Sequence, residues 1–163
     1  MRALQVYPAW GLWYSLHGRD SRRDFGILLI EYVFLIFCST VIFWTTGETR
    51  RYDFHPFWSY DRPDLLVENI MNVMVFIPVG LLLGCAYKQM TWWKALLIGC
   101  SISIAIESLQ FWFMKGFSEL DDVMHNTVGC LIGWFLVQGS RLMVKGFQNL
   151  WNKPVCKKGE VYI

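Results

Sequence analysis

Long apolar stretches separated by short polar segments dominate the sequence. The first clear stretch covers residues 25–44 and contains one acidic residue, Glu31, and the others cover about 68–87, 92–113 and 122–144. A helix of about 20 residues is roughly 30 Å long, which matches the hydrocarbon core of a bilayer. Lipid cannot satisfy backbone polar groups, and the alternating ten-residue segments of a membrane barrel are absent. The pattern therefore predicts an all-α, polytopic bundle of four transmembrane helices.

The composition favours a membrane protein over a soluble one. Of the 163 residues, 55% are hydrophobic and only 17% are charged, whereas soluble domains contain about 25% charged residues. We expect one transmembrane domain over residues 25–144. Residues 1–24 lack the apolar core and cleavage site of a signal peptide, and we expect them to lie in the cytoplasm or at the interface. Residues 145–163 are predicted to form a basic cytoplasmic tail.

Cysteine and charge exclude several function classes. The five cysteines show no metal-binding spacing, and four of them lie inside apolar stretches, where cysteine behaves as a small hydrophobic residue. We therefore predict neither a disulfide nor a metal site, and no cofactor. The net charge of +2 gives no indication of nucleic-acid binding.

The distribution of Lys and Arg predicts the orientation. Eleven of the fifteen lie in the N-terminal segment, the connection between the second and third stretches, or the C-terminal part, and four lie in the other two connections. The positive-inside rule then places both termini in the cytoplasm. We expect a multi-pass protein of the bacterial cytoplasmic membrane whose first and third connections face outward.

Polar side chains from three of the predicted helices fall at one depth, near the outward ends. Their spacing places them on single helix faces, and in the second and fourth helices the same faces carry pairs of glycines four residues apart. We therefore expect these side chains to face the bundle interior and to form a binding site. The six predicted site residues are Glu68, Asn72, Glu107, Gln110, Asp122 and Asn126.

Structural roles compete with a functional one for most of these residues. Glu68 and Asp122 could be stabilising acids at helix N-termini, and Gln110 and Asn126 could be interhelical hydrogen-bonding groups. Glu107 lies inside an apolar stretch where no capping role is evident, and buried acids in membranes usually line functional cavities. His125 lies nearby but points about 100° away from the polar face of its helix.

Three motifs that contain these residues, taken in order, resemble the VanZ-like family of bacterial membrane proteins. The family pattern is an Asn before Phe-x-Pro-x-Gly, then Glu-x-x-Gln, then Asp-x-x-x-Asn-x-x-Gly, over about residues 65–140. Many members carry Asp at the position of Glu119 and Gly at the position of Cys130, and an Arg often precedes the acidic run, where this chain has Lys115. The matching residues are Asn72, Phe76, Pro78 and Gly80; Glu107 and Gln110; and Asp122, Asn126 and Gly129.

The resemblance implies a cell-envelope protein that contributes to antibiotic resistance. The family is named for a protein that gives low-level resistance to teicoplanin, a lipoglycopeptide that acts at the outer face of the membrane. Partners implied are membrane lipid and a lipoglycopeptide or a cell-wall precursor lipid. Two alternatives remain open. One is a membrane enzyme that uses Glu107 and Asp122 as a catalytic carboxylate pair on an envelope lipid or glycan. The other is a small transporter or flippase, for which four helices are few unless the protein oligomerises.

Overall fold

The structure is a computed structural model that describes residues 20–43 and 45–151, and within these ranges the chain forms four long helices. The helices are α1 (Asp20–Phe37, continued by a π-helical turn over Cys38–Ile42), α2 (Leu66–Ala86), α3 (Trp92–Phe113) and α4 (Leu120–Trp151). Within the described residues, four helical stretches are long and apolar enough to cross a membrane. The predicted all-α bundle of four transmembrane helices is confirmed.

The helix ends differ from the prediction where the chain lacks a strong stop signal. The bounds of α3 agree with the predicted 92–113, but α4 continues past residue 144 to Trp151. No proline lies between Leu120 and Pro154, so none interrupts the helix where the apolar stretch ends. Of the predicted N-terminal stretch (residues 1–24) and basic tail (residues 145–163), residues 20–24 belong to α1 and residues 145–151 to α4. The remainder of both segments, 1–19 and 152–163, lies outside the described residues.

Backbone-on-backbone packing joins α2 to α4. A Cβ atom at Gly80 would overlap the carbonyl of Cys130, and one at Gly133 would overlap the carbonyl of Ile77. Only glycine permits so close an approach, which is how helices gain packing contacts in lipid. Pro78 lies between these contacts, and α2 stays helical on both sides of it.

A small apolar core fills the space between the helices. Ile36 of α1, Phe76, Val79 and Leu83 of α2 and Ile106 of α3 are buried there with Cys130. The Tyr32 hydroxyl of α1 donates to the carbonyl of Val75 at 3.0 Å, which ties α1 to α2. Large apolar side chains such as Phe34, Leu35 and Phe135 are exposed on the outside of the bundle, as expected for a surface that contacts lipid.

The first and third connections meet at one end of the bundle. Two short parallel strands pair there, β1 (Tyr52–Asp53) and β2 (Ser118–Glu119). Two 3-10 turns, Trp58–Asp61 and Pro63–Leu65, then lead into α2. We call residues 45–65 the connecting loop and this end of the bundle the loop end. At the other end, Arg141 donates to the carbonyl of Gly84 at 2.6 Å near the C-terminus of α2, where a cation is favourable.

Candidate functional site

Asp121 fastens the connecting loop to the start of α4. Its carboxylate is fully buried and accepts the backbone N–H of Phe57 at 2.7 Å and that of Ser59 at 3.0 Å. The Ser59 hydroxyl also donates to it, at 2.6 Å, and receives a hydrogen bond from Asn69 of α2. Phe57 has a φ of 66°, a strained conformation for a bulky residue that persists only where the surroundings fix it. The hydrogen bonds to Asp121 hold Phe57 in this conformation.

Two aromatic side chains of the loop reach the polar groups of α4. The Tyr60 hydroxyl lies 3.0 Å from Nε2 of His125, and the two rings stack with centroids 5.7 Å apart. The indole N–H of Trp58 donates to Oε2 of Glu119 at 3.2 Å. The spacing predicted that His125 points away from the polar face of α4, and it joins the site through Tyr60.

Glu107 holds the turn between α3 and α4. Its carboxylate Oε2 accepts the backbone N–H of Glu119 at 3.1 Å, and Gln110 donates to both of its oxygens, at 3.1 and 3.3 Å, in the amide orientation that satisfies both side chains. The expectation that no capping role explains Glu107 is therefore wrong. The carboxylate satisfies an N–H directly before α4, where helix donors lack partners and negative charge is favourable. Glu107 thus has a structural task in addition to any chemical one.

The other predicted residues form pairs between helices. Asn72 of α2 donates to Asp122 at 2.6 Å, and Asn126 of α4 donates to the buried hydroxyl of Ser103 at 2.8 Å. Glu68 is exposed, so the prediction that its side chain faces the interior is wrong. Glu68 lies in the first turn of α2, which begins at Leu66, and its side chain therefore reaches the surface.

Four carboxylates nevertheless lie close enough to repel one another: those of Glu68, Glu107, Glu119 and Asp122. None of them forms an ion pair with a Lys or Arg of the described part of the chain. Burial, together with repulsion from Asp122 and Glu68, raises the pKa of Glu119 to about 7. Uncompensated acids in a poorly hydrated site favour a bound proton or a ligand that donates hydrogen bonds. In residues 20–43 and 45–151, no group of His, Cys, Asp and Glu is arranged to hold a metal ion.

A cleft of about 310 Å³ opens beside this cluster. It lies between α3, the start of α4 and Phe54 of the connecting loop. Glu107 and Glu119 line it together with apolar and aromatic side chains, among them Ile104, Phe111 and Trp112. The cleft can therefore hold a molecule with one polar and one apolar part.

Comparison with known proteins shows the family to which the chain belongs. The family model described as VanZ/LLP1 matches residues 25–143, well over half of the chain. The chain belongs to the VanZ/LLP1 family. Protein VanZ of Enterococcus faecium is 38% identical over 66 residues, which make up 40% of this chain and 41% of that protein. The chain thus aligns with about two fifths of that relative's length. No solved structure gives a significant match.

The resemblance seen in the three motifs is confirmed, and the VanZ/LLP1 match extends beyond residues 65–140 to include α1. The structure also adds residues that sequence reasoning missed, namely Ser59, Trp58 and Tyr60 of the loop and Asp121 of α4. The loop residues carry no helical periodicity, so no pattern pointed to them. Asp121 adjoins Asp122 but projects about 100° away around the helix, which places it toward the loop.

Proposed function

We propose that this VanZ/LLP1 protein lies in the bacterial cytoplasmic membrane and contributes to tolerance of teicoplanin-type lipoglycopeptides through the polar site at its loop end. The observation that carries the proposal is the meeting of the family's motif acids and amides at that end. Asn72 pairs with Asp122 at 2.6 Å, and Glu107 pairs with Gln110 and with the backbone of Glu119. The site engages the drug or the lipid-linked cell-wall precursor near the outer surface of the membrane.

The proposal requires the loop end to face outward. The excess of Lys and Arg in the N-terminal segment, the α2–α3 connection and the C-terminal part supports that orientation. A cysteine placed at Glu48, which is exposed in the connecting loop, should react with a membrane-impermeant maleimide on intact cells. Labelling that requires the membrane to be opened would show that the loop end faces the cytoplasm.

Charge-removing substitutions test the site itself. We expect Glu107→Gln and Asp122→Asn to abolish tolerance in an expressing strain while membrane abundance stays unchanged. Asp122→Asn keeps an oxygen that can accept from Asn72. Glu107→Gln keeps one for the N–H of Glu119, and the Gln110 amide can turn over to accept from the new amide nitrogen, so the fold is preserved while the negative charge is lost. Glu31→Gln is the matched control, because Glu31 is exposed on α1 and lies outside the site. Full tolerance in both site variants would reduce the site to a structural role.

A carboxylate pair also favours a second candidate function, a membrane enzyme acting on an envelope lipid or glycan. Repulsion between Glu107 and Asp122 is the arrangement that separates the protonation of two acids and allows acid and base roles. This candidate predicts that expressing cells show an altered lipid or muropeptide profile, and that both substitutions restore the original profile. An unchanged profile in cells with full tolerance would exclude it.

A further inference from the structure

The cleft beside Glu107 follows one face of α3 from the loop end toward the middle of the bundle. Ile104 and Trp112 lie on that face and are exposed, at 50% and 68%. They are eight residues apart, a distance of about 12 Å along a helix. Because α3 is long and apolar enough to span the membrane, side chains exposed on it contact acyl chains. The cleft is therefore open to the bilayer and reaches into its hydrocarbon.

The charged side chains that line the cleft are both acidic, and we call them the base of the cleft. Glu107 and Glu119 both line it and are each only 7% exposed. Trp58 uses one of the two oxygens of the Glu119 carboxylate, and Glu107 accepts from Gln110 and the N–H of Glu119, which leaves acceptor positions on both carboxylates. No described Lys or Arg neutralises either acid. A group that fits this base must donate hydrogen bonds, and a cation fits better than a neutral donor.

An arginine stands at the rim of the same cleft. The guanidinium of Arg50 lies over the ring of Phe111 at 5.7 Å and over that of Trp112 at 6.0 Å, and both rings line the cleft. A guanidinium over aromatic rings can still donate its N–H groups to a phosphate. The cleft thus offers an apolar wall, an acidic base and a cationic rim.

We propose that the cleft binds a membrane phospholipid whose headgroup joins a phosphate to a primary ammonium, as in phosphatidylethanolamine. The phosphate contacts Arg50, the ammonium donates to Glu107 and Glu119, and the first carbons of an acyl chain lie along Ile104. This complementarity distinguishes the ligand from phosphatidylcholine, whose quaternary ammonium has no N–H, and from phosphatidylglycerol, which has no cation. This lipid site rests on the proposed function for its importance in the cell. It deepens that function by naming a lipid that the site holds.

Native mass spectrometry of the purified full chain at pH 8 tests the proposal. The protein in detergent is mixed with equal amounts of the three lipids, all of which carry palmitoyl and oleoyl chains. We expect phosphatidylethanolamine to be retained about tenfold over phosphatidylcholine, which corresponds to the difference of one charge-assisted hydrogen bond. Equal retention of all three lipids, or a preference for phosphatidylglycerol, would overturn the proposal.

Two variants with matched controls locate the binding. Glu119→Gln should abolish the preference for phosphatidylethanolamine, and Arg50→Gln should weaken retention of both zwitterionic lipids about tenfold. The control for the first is Glu31→Gln. The control for the second is Arg51→Gln, because Arg51 stands over Phe117, outside the cleft lining. Arg50 is exposed, so its replacement leaves the fold intact even if Glu119→Gln does not.

The outcomes separate this inference from the proposed function. Loss of tolerance in Glu107→Gln with no lipid preference in the purified protein would leave the proposed function standing and refute the lipid. Lipid retention that Arg51→Gln reduces as much as Arg50→Gln does would refute the assigned cleft. Full tolerance in a variant that has lost the lipid would refute the link between this lipid and tolerance, and would leave both the binding site and the proposed function standing.

Discussion

Replacing Asp121 by alanine should release the connecting loop from the bundle. The carboxylate accepts three hydrogen bonds from the loop, two from backbone N–H groups and one from the Ser59 hydroxyl, with donor distances of 2.6 to 3.0 Å. Alanine removes every one of these acceptor oxygens. Nothing else described on α4 fixes Phe57 in its left-handed conformation.

The size of the effect follows from the groups left without partners. A hydrogen bond to a charged group contributes about 1.5–3 kcal/mol, and a buried donor without a partner costs about 1–3 kcal/mol. Two orphaned N–H groups therefore lower the free energy of opening the loop by about 2–6 kcal/mol. Even the lower value increases the population of the opened loop more than tenfold, because about 1.4 kcal/mol corresponds to a tenfold change in the opening equilibrium.

Hydrogen exchange measured by mass spectrometry in nanodiscs reports this opening directly. Peptides that cover residues 57–65 should exchange at least about 30-fold faster in Asp121→Ala, for a loss of about 2 kcal/mol. Peptides from the middle of α3 should keep their protection, because Asp121 forms no hydrogen bond with that helix.

Asp61→Ala is the matched control for this experiment. Asp61 is an exposed acid of the same loop, in the 3-10 turn that contains Ser59. Its removal should change exchange by less than about twofold, as expected for an exposed surface side chain. Unchanged exchange in Asp121→Ala, or equal acceleration in the two variants, would show that the buried carboxylate does not hold the loop.

Three further predictions concern acidity, packing and stacking. The pKa of Glu119 is raised to about 7 from an ordinary value near 4.3. Stability should therefore fall as pH rises between about 4.3 and 7, where the unfolded chain has lost the proton that the folded protein keeps. The indole ¹⁵N–H signal of Trp58 should titrate with a midpoint near 7, and Glu119→Gln should remove that titration. Gly80→Ala should lower the melting temperature in detergent through a loss of about 1–3 kcal/mol or more, whereas Gly139→Ala should not, because open space surrounds that glycine. Tyr60→Phe keeps the ring stacking but loses one hydrogen bond, so chemical denaturation should show a loss of about 1 kcal/mol; wild-type stability would contradict that bond.

The bundle could be predicted from the sequence because the rule behind it is local. An apolar stretch of about 20 residues must be helical in lipid whatever its neighbours do. Helix ends are less strictly determined, which is why α4 exceeds its predicted end. The glycine spacing predicted which faces of α2 and α4 approach each other, and the contact of Gly80 with the backbone of Cys130 agrees.

The site was only partly predictable because half of it lies on irregular chain. Asn72, Glu107 and Asp122 could be placed by helical periodicity, and they do meet. Glu68 was misplaced because periodicity gives a direction around the helix but not how far the neighbouring helices extend over that turn. The loop residues Ser59 and Tyr60 have no period at all, and only the folded chain shows that they contact α4.

Asp121 has a structural role, whereas the neighbouring Asp122 faces other acids. They are neighbours in sequence, yet Asp121 is saturated by three donors of the loop, while Asp122 accepts one described hydrogen bond, from Asn72, and faces other carboxylates. A saturated acid has already gained its partners on folding, so a ligand has little to offer it. Acids that repel one another retain an unfavourable interaction that a proton or a bound cation can relieve. Any ligand of this site should therefore bind to the acids that repel one another and not to Asp121, and substitutions at Asp121 should alter tolerance only through the order of the loop.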